Sequence, residues 1–522
     1  MASPPNPTTP SLISTAERHE GEAAASRIVG RNMFALVVSQ FVTTPVSLFV
    51  NAILARSLGA SNFGAIYLAT TVLTLLFIFV EWGGQGQIAA IIARDRPSAA
   101  RVFGTGLVMR IGLGAAVLWL LPHFVTLMGY GPSVRTALLL CGFRFALASV
   151  GTLCSAVMRG FEKVDWHAGA TIFGNLIDAT LVVGTLLQGG GLRAALTAQV
   201  VAAAITLVLQ FALVLRLKIG RAHVDVGALR VLVGGGFSFL VLDVVLKLQP
   251  YIDAGFLSKL SSAQALGWYS AANRITGVLV FPAFTLSLAL YPTLARLWSD
   301  DRTTYNIMVR LGLRSVILLG LLAGTGAAVF SRLIVRLVYG VDAFGPAATD
   351  IAILSLYLPL VYASLVIGNA LMAAGRQLRW AVGQSFCLLV SVALDPILIP
   401  WTQRTYGNGG AGVCISVAFA EIAMVGVGLG LLPTGALDKS LAKTLGRCVV
   451  AAAGAAAIGV FLEGIPVLAI PATVTVYASL LWVQREIDPN MLMLLRNLVL
   501  SKFARTQVSG DEPTTGTPSP EA

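Results

Sequence analysis

The sequence predicts an all-α polytopic membrane protein with about fourteen transmembrane helices. Three observations predict it. Only 11% of the 522 residues are charged, where a soluble protein carries about a quarter. The mean hydropathy is +0.82. Apolar runs of about twenty residues, each long enough to cross a hydrocarbon core of about 30 Å, recur from Asn32 to Trp482. The short alternating segments of a transmembrane β-barrel are absent.

The spans read 32–55, 62–93, 102–128, 135–158, 167–188, 194–215, 231–257, 267–294, 310–331, 348–373, 380–400, 410–432, 445–463 and 466–484. The first follows a Pro-, Ser- and Thr-rich stretch with no apolar core before it. That stretch, 1–30, reads as a disordered tail rather than a signal peptide. The second span is long, and "EWGGQG" (81–86) predicts a break, with Glu81 as a break or cap group. The third and ninth carry an arginine inside the span near their starts, Arg110 and Arg314. The fourth holds Arg144 and the fifth Asp178. The glycine triplet 189–191 follows the fifth, and 234–236 lies in the seventh. Both read as turns or kinks. The segment 216–230 is one of the long internal connections. The seventh span holds Asp243, Lys247 and Asp253, and the eighth, in "LGWYSAANRI" (266–275), holds Arg274. Asp395 and Glu421 are lone acids in the eleventh and twelfth. The residues 487–522 read as a second disordered tail.

An even number of spans puts both termini on one side, and Arg and Lys should be enriched on the cytoplasmic side. With the N-terminus inside, the cytoplasmic segments hold 24 of the 36 Lys and Arg residues and the opposite side 7. Both termini are therefore expected in the cytoplasm. The net charge of +12 reads as loop charge that sets topology, not as a nucleic-acid surface. The five cysteines fall inside apolar segments without metal or disulfide spacing, and the four histidines are scattered. No metal and no cofactor are expected. No P-loop sequence is present, and no segment is long enough for a soluble catalytic domain.

The chain repeats weakly on itself. "SAVMRGFEKVDWHAG" (155–169) matches "NALMAAGRQLRWAVG" (369–383), with Ala156/Ala370, Met158/Met372, Trp166/Trp380 and Gly169/Gly383 at one offset of 214. Arg110 also matches Arg314 by its place near the starts of spans three and nine. Six spans separate the copies, so both point the same way, as in transporters built of two parallel halves. The organisation expected is an N-lobe at 31–215, an inter-lobe loop at 216–230, a C-lobe at 231–432 and two added helices at 433–486. The two parallel six-helix lobes would enclose a central cavity.

"ILARSLGASNFGAIYLA" (53–69), "VEWGGQGQIAAIIAR" (80–94) and "VMRGFEKVDW" (157–166) resemble the N-terminal half of the polysaccharide (Wzx-like) flippases. These belong to the multidrug/oligosaccharidyl-lipid/polysaccharide exporter superfamily. "LGWYSAANRITGVLVFPAFTLSLALYPTLARL" (266–297), with its closing Pro292 and Arg296, resembles their eighth helix. "MAAGRQLRW" (372–380) resembles their loop after helix ten. The resemblance covers roughly 30–485. It implies a multi-pass protein of the bacterial inner membrane that exports a lipid-linked oligosaccharide, usually on undecaprenyl pyrophosphate. A glycan polymerase and a chain-length regulator are the candidate partners besides membrane lipids. Related lipid II flippases require an arginine in the A-x-R context of helix eight. It maps onto Arg274, with Asn273 standing where that relative has an acid.

A charge inside a bilayer is rare and usually has a task. An anionic pyrophosphate-linked glycan needs cations, and the planar fork of Arg binds phosphate bidentately. Arg274, Lys247, Arg144, Asn273, Arg110 and Arg314 are the candidate cavity residues. Each has a plainer reading. Arg110 and Arg314 lie near the ends of their helices and could snorkel to the interface, or flank the inner mouth. Arg144 and Asp178 could pair with each other. Asp243 and Lys247, four apart, could neutralise each other. Asp253 could pair with Arg274. Asp178, Asp243, Asp253, Asp395 and Glu421 are the candidates for ion pairing or coupling. Tyr269, Ser270 and Asn273 make a polar face beside Arg274 that should line the cavity.

The function expected is an alternating-access flippase, a secondary transporter rather than an enzyme. The alternative is a cation-coupled multidrug exporter of the same superfamily. A glycan polymerase would present a large extracytoplasmic loop, and a mere scaffold would tolerate loss of every intramembrane charge.

Overall fold

The computed structural model describes residues 12–82 and 84–486. The side chains of 12–37, 238, 239, 241, 242, 245–247, 288, 289 and 439 lie outside that description, as do the segment 487–522 and the side chain of Lys247. Every regular element among the described residues is helical. Twelve stretches are long and apolar enough to cross a membrane. The sequence count differs from these twelve at two places. It takes Val38–Arg94 as two crossings, and it includes the seventh helix.

α1 runs Leu12–Glu81 but is broken at Gly59, whose φ of 74° and ψ of 169° reverse the chain. Glycine has no Cβ to oppose that conformation. α1 also reaches back into the stretch expected to be a disordered tail. The sequence there, "STAERHEGEAAASR", is rich in Ala, Glu and Arg, which favour helix. The break expected at 81–86 is real: α1 stops at Glu81 and α2 (Gly84–Arg94) begins three residues later. α3 (Ala99–Met128), α4 (Pro132–Gly160), α5 (Val164–Leu187) and α6 (Leu192–Arg216) follow. α7 (Val226–Leu260) starts at an Asp225 cap whose carboxylate accepts from the Gly227 and Ala228 N–H groups. α8 (Ala263–Asp300) and α9 (Arg302–Val329) complete the middle of the chain. Two short helices unforeseen in the sequence, α10 (Ser331–Val338) and α11 (Val341–Phe344), precede α12 (Ala347–Ala373). α13 (Gln377–Tyr406), α14 (Gly409–Leu431), α15 (Lys439–Phe461) and α16 (Pro466–Val483) end the described chain.

The connections fall into two sets. One end of the molecule, here the basic end, carries the α4–α5, α6–α7, α8–α9, α12–α13 and α14–α15 links. The other, the sparse end, carries the Gly59 break and the α3–α4, α5–α6, α7–α8 and α13–α14 links. Three helices leaving the basic end, α7, α9 and α15, are capped by aspartates. Asp301 caps α9 through the Thr303 and Thr304 N–H groups, and Asp438 caps α15 through Ser440 and Leu441. Hydrogen bonds from Thr304 and Ser440 hold these two carboxylates below the usual range.

Among helices of the first half, α1, α4, α6 and α5 pack in a ring, each against the next. In the second half α12 packs on α8, α9 and α14, and α13 on α14. α15 and α16 pack on each other and on α9, with Cys448, Ala451 and Tyr477 in their own core. The glycine triplet 189–191 is a turn, as read. The triplet 234–236 is not. It lies within α7, where a Cβ at Gly235 would meet the Gln87 amide at 2.4 Å and one at Gly236 the Trp82 carbonyl at 2.4 Å. Those glycines let α7 approach α2.

Candidate functional site

Besides the contact of α7 with α2 nearer the basic end, the halves meet through α1 and α8 at the sparse end. Small residues bring the backbones together there. A Cβ at Gly267 would stand 2.0 Å from the Ala60 carbonyl oxygen, and one at Gly64 would stand 2.6 Å from that of Ala263. Aromatic side chains close around this contact: Phe63 against Tyr339 and Phe344, and Tyr67 edge-on to Tyr269 at 5.9 Å. Two cations of this end bridge the halves by binding carbonyls at helix C-termini, where the partial charge is negative. Arg56 donates to Val338 at 2.9 Å and to Leu337. Lys259 donates to Met128 and lies over the Tyr130 ring at 4.2 Å.

Arg274 lies about one helical turn beyond this seal. Its guanidinium is 5.4 Å from the Phe63 ring centroid, and its buried Nε has no hydrogen-bond partner. Asn273 donates to the Tyr67 hydroxyl at 3.4 Å. The polar face expected to line an open cavity is instead shut against α1. Tyr269 is 4% exposed and Ser270 0%. The alternative reading, a pair with Asp253, is not made: among the described residues Arg274 has no carboxylate within ion-pair distance. An unpaired guanidinium inside a membrane costs roughly 2.5–3.5 kcal/mol at a helix centre, so its retention there argues for a role beyond packing.

Asp253 turns to α13. Ser391 donates to it at 3.1 Å, and its carboxyl interacts with that of Asp395. Asp395 is therefore not a lone acid. Both acids are buried, with Ser416 of α14 beside Asp395. This set offers oxygens only, and the Asp395 oxygens lack a donor. Glu421, farther along α14, accepts from Ser364 of α12. Asp243 is partly exposed on α7. Its sharing of a face with Lys247 lies outside the described residues. Among the described residues no three His, Cys, Asp or Glu side chains converge as metal ligands.

Arg110 does not snorkel. It is 2% exposed and donates to the Ser149 carbonyl and, at 2.6 Å, to Thr152. Thr152 donates onward to Glu81 at 3.1 Å, Gln85 donates to Glu81 at 3.0 Å, and Arg159 donates to Gln85. The break between α1 and α2 thus supplies the acid that a buried arginine needs. Arg314, its repeat counterpart, does something different: it donates to Ser440 of α15. It helps fasten the last two helices, as does Arg447 through its ion pair with Glu486 at 2.6 Å. The two equivalent arginines do not flank one mouth.

Arg144 and Asp178 do meet in one place, though not as an ion pair among the described residues. Both line a cavity of about 370 Å³ between α4, α5 and α6. It runs from Arg144, Asp178 and Gln199 to Ser155, His167 and Gln210, eleven residues along each helix, or about 16 Å. Asn175, which accepts from Ser47 of α1 at 3.3 Å, sits on its wall. Arg144 also lies close enough to Arg274 to repel it. The structure therefore brings Arg144, Asp178 and Arg274 to one region and leaves Arg110 and Arg314 elsewhere. Sequence reasoning centred on charge passed over Gln199, Gln210 and Asn175. The available signal was the polar spacing Thr171, Asn175, Asp178 on an otherwise apolar helix.

The comparisons agree with this architecture. A likeness in fold links the chain to a solved lipid II flippase MurJ in an inward closed conformation. That match has a TM-score of 0.68 at 14% identity, covering 85% of this chain and 97% of that one. An inward-facing multidrug resistance MATE family transporter matches with a TM-score of 0.64 at 15% identity, covering 77% and 97%. An outward-facing MATE family transporter gives 0.53 at 16% identity, covering 80% and 96%. No curated protein sequence matches. A family model described as MatE matches residues 245–397, and one described as polysaccharide biosynthesis protein matches residues 29–298. That second match spans more than half of the chain, which therefore belongs to the polysaccharide biosynthesis protein family, within the superfamily that also holds the MATE transporters.

Proposed function

We propose that the protein is an alternating-access flippase that exports a lipid-linked oligosaccharide, carried on undecaprenyl pyrophosphate, across a bacterial inner membrane. The observation that carries this reading is Arg274: a guanidinium with a buried, unpartnered Nε and no acid partner among the described residues, at the meeting of the halves and beside a polar cavity. A drug-type cation would be repelled by such a group, whereas a pyrophosphate matches its fork. The seal at the sparse end supports a state closed on one side. The better overlay on inward-facing than on outward-facing relatives supports the same state. The two lobes, 31–215 and 231–432, would rock about this seal, and α15 and α16 would ride on the second lobe. Asp253 and Asp395 would supply the coupling step. Two buried carboxyls and serine hydroxyls suit a shared proton or a monovalent cation, whose arrival neutralises charge that is costly to leave alone.

The test is complementation. A strain lacking this chain should accumulate lipid-linked glycan on the cytoplasmic face, and restoring the chain should clear it. Energy-dependent ethidium efflux without glycan export would replace this reading with the multidrug one.

A further inference from the structure

We infer that the α4–α6 cavity is a sugar subsite: it seats a pyranose ring of the glycan, while the pyrophosphate stays at Arg274. This rests on the flippase reading above and divides its substrate between two places. The charge balance of the cavity is the first argument. Arg144 and Asp178 line the same wall, so the cavity has no surplus positive charge to offer a pyrophosphate. Its remaining polar groups are amides, hydroxyls and the His167 imidazole. Gln199 is 6% exposed, and its Oε1 has no partner. Gln210 stands eleven residues farther along the same helix, at the opposite end of the cavity. Each amide offers both a donor and an acceptor, as a sugar hydroxyl does. Thr206 and Thr171 give their protons to backbone carbonyls at 2.8 and 2.9 Å, which leaves their lone pairs to accept. Asn175 is fixed in the same way, donating to Thr171 at 2.9 Å.

The apolar lining is the second argument. Phe145, Ala202 and Ala203 lie among these polar groups. A pyranose has a flat apolar face and a rim of hydroxyls, so a ring wall beside spaced amides fits both. A bilayer acyl chain would leave the buried Gln199 amide without a hydrogen-bond partner, which is costly. Size is the third. At about 370 Å³ the cavity lies at the small end of ligand pockets, which run about 300–1,000 Å³. It has room on the order of one or two sugar rings, not a whole repeat unit. The subsite would therefore read one part of the glycan. A site built to hydrogen-bond hydroxyls rejects analogues that lack them far better than an apolar site does.

The experiment uses the full chain in nanodiscs and two probes, undecaprenyl pyrophosphate and glucosyl undecaprenyl pyrophosphate. Binding is measured by native mass spectrometry. The wild type should bind the glucosylated carrier roughly tenfold more tightly than the bare one. Gln199→Leu should remove most of that margin and leave affinity for the bare carrier unchanged, which also shows that the variant is folded. Thr206→Val, nearly isosteric, should reduce the margin by a smaller factor. Equal binding of both carriers by the wild type would overturn the subsite. So would variants that weaken both carriers alike. If the wild type binds neither carrier, the flippase reading itself fails.

Discussion

At the scale of single residues, Arg274 is where charge and surroundings conflict most. Its Nε is buried and unpartnered, and Phe63 offers only a ring face. Lys at this position keeps the charge and loses the fork. Export of lipid-linked glycan should fall by at least about tenfold in Arg274→Lys and be lost in Arg274→Ala, with protein abundance unchanged in both. Normal export by Arg274→Ala at normal abundance would reject the role. Arg144 and Asp178 make a different prediction. A closed ion pair is usually rescued when both partners are removed, because no charge is stranded. These two share a cavity without pairing, so Arg144→Ala,Asp178→Ala should export no better than Arg144→Ala. Recovery in the double variant would make them a structural pair. Their identity as charges within the spans was legible in the sequence, because a charge interrupts an apolar run. Their partners were not. Asp253 lies close to Arg274 along the chain, across a short turn, yet it bonds to Ser391, 138 residues away. Sequence spacing describes neighbours on one helix, and the interior of a bundle is made of different helices.

At the scale of elements, the spans were legible because hydrocarbon thickness fixes their length. The ends and breaks were less so. "EWGGQG" announced its break through its glycines. α10 and α11 escaped notice because they are short, eight and four residues. The glycines of α7 carried the opposite lesson: a triplet that looks like a turn serves close helix packing. The same reasoning applies at Gly267, whose missing Cβ lets α8 lie against Ala60. Gly267→Ala places a methyl 2.0 Å from a carbonyl oxygen, so α1 and α8 must separate. The seal should loosen while the spans persist. Asn273→Cys then reports the change. In the Gly267→Ala background a membrane-impermeant maleimide added outside cells should label Cys at this position several-fold faster than in the parent. The native cysteines, all five buried, supply a low background. Unchanged labelling at unchanged abundance would show that the glycine contact is not part of the seal.

At the scale of the whole molecule, the repeat and the charge asymmetry describe one design. The matched motifs at 155–169 and 369–383 fall on the α4–α5 and α12–α13 turns, both at the basic end. Trp166 and Trp380 sit in the first turn of the helix that follows. An even spacing of crossings between copies is what puts both turns on one side, and both turns carry cations, Arg159 and Lys163 in one and Arg376 and Arg379 in the other. The sparse end keeps few, and Arg56 and Lys259 there bind helix carbonyls. A cation held by a helix terminus of the other half is part of a contact as well as a topological signal. Retention of Arg and Lys on the cytoplasmic side predicts the orientation with the basic end inside. On the proposed function, that orientation would turn the sealed end away from the cytoplasm and put Arg274 within reach of a substrate arriving from it. Alkaline phosphatase, which folds only after export, distinguishes the two orientations. Fused after residue 260, at the sparse end of α7, it should be active. Fused after residue 220, between α6 and α7 at the basic end, it should be inactive. The reverse pattern would turn the molecule over and make the sealed mouth the cytoplasmic one, so the substrate would have to enter from the side it is meant to reach.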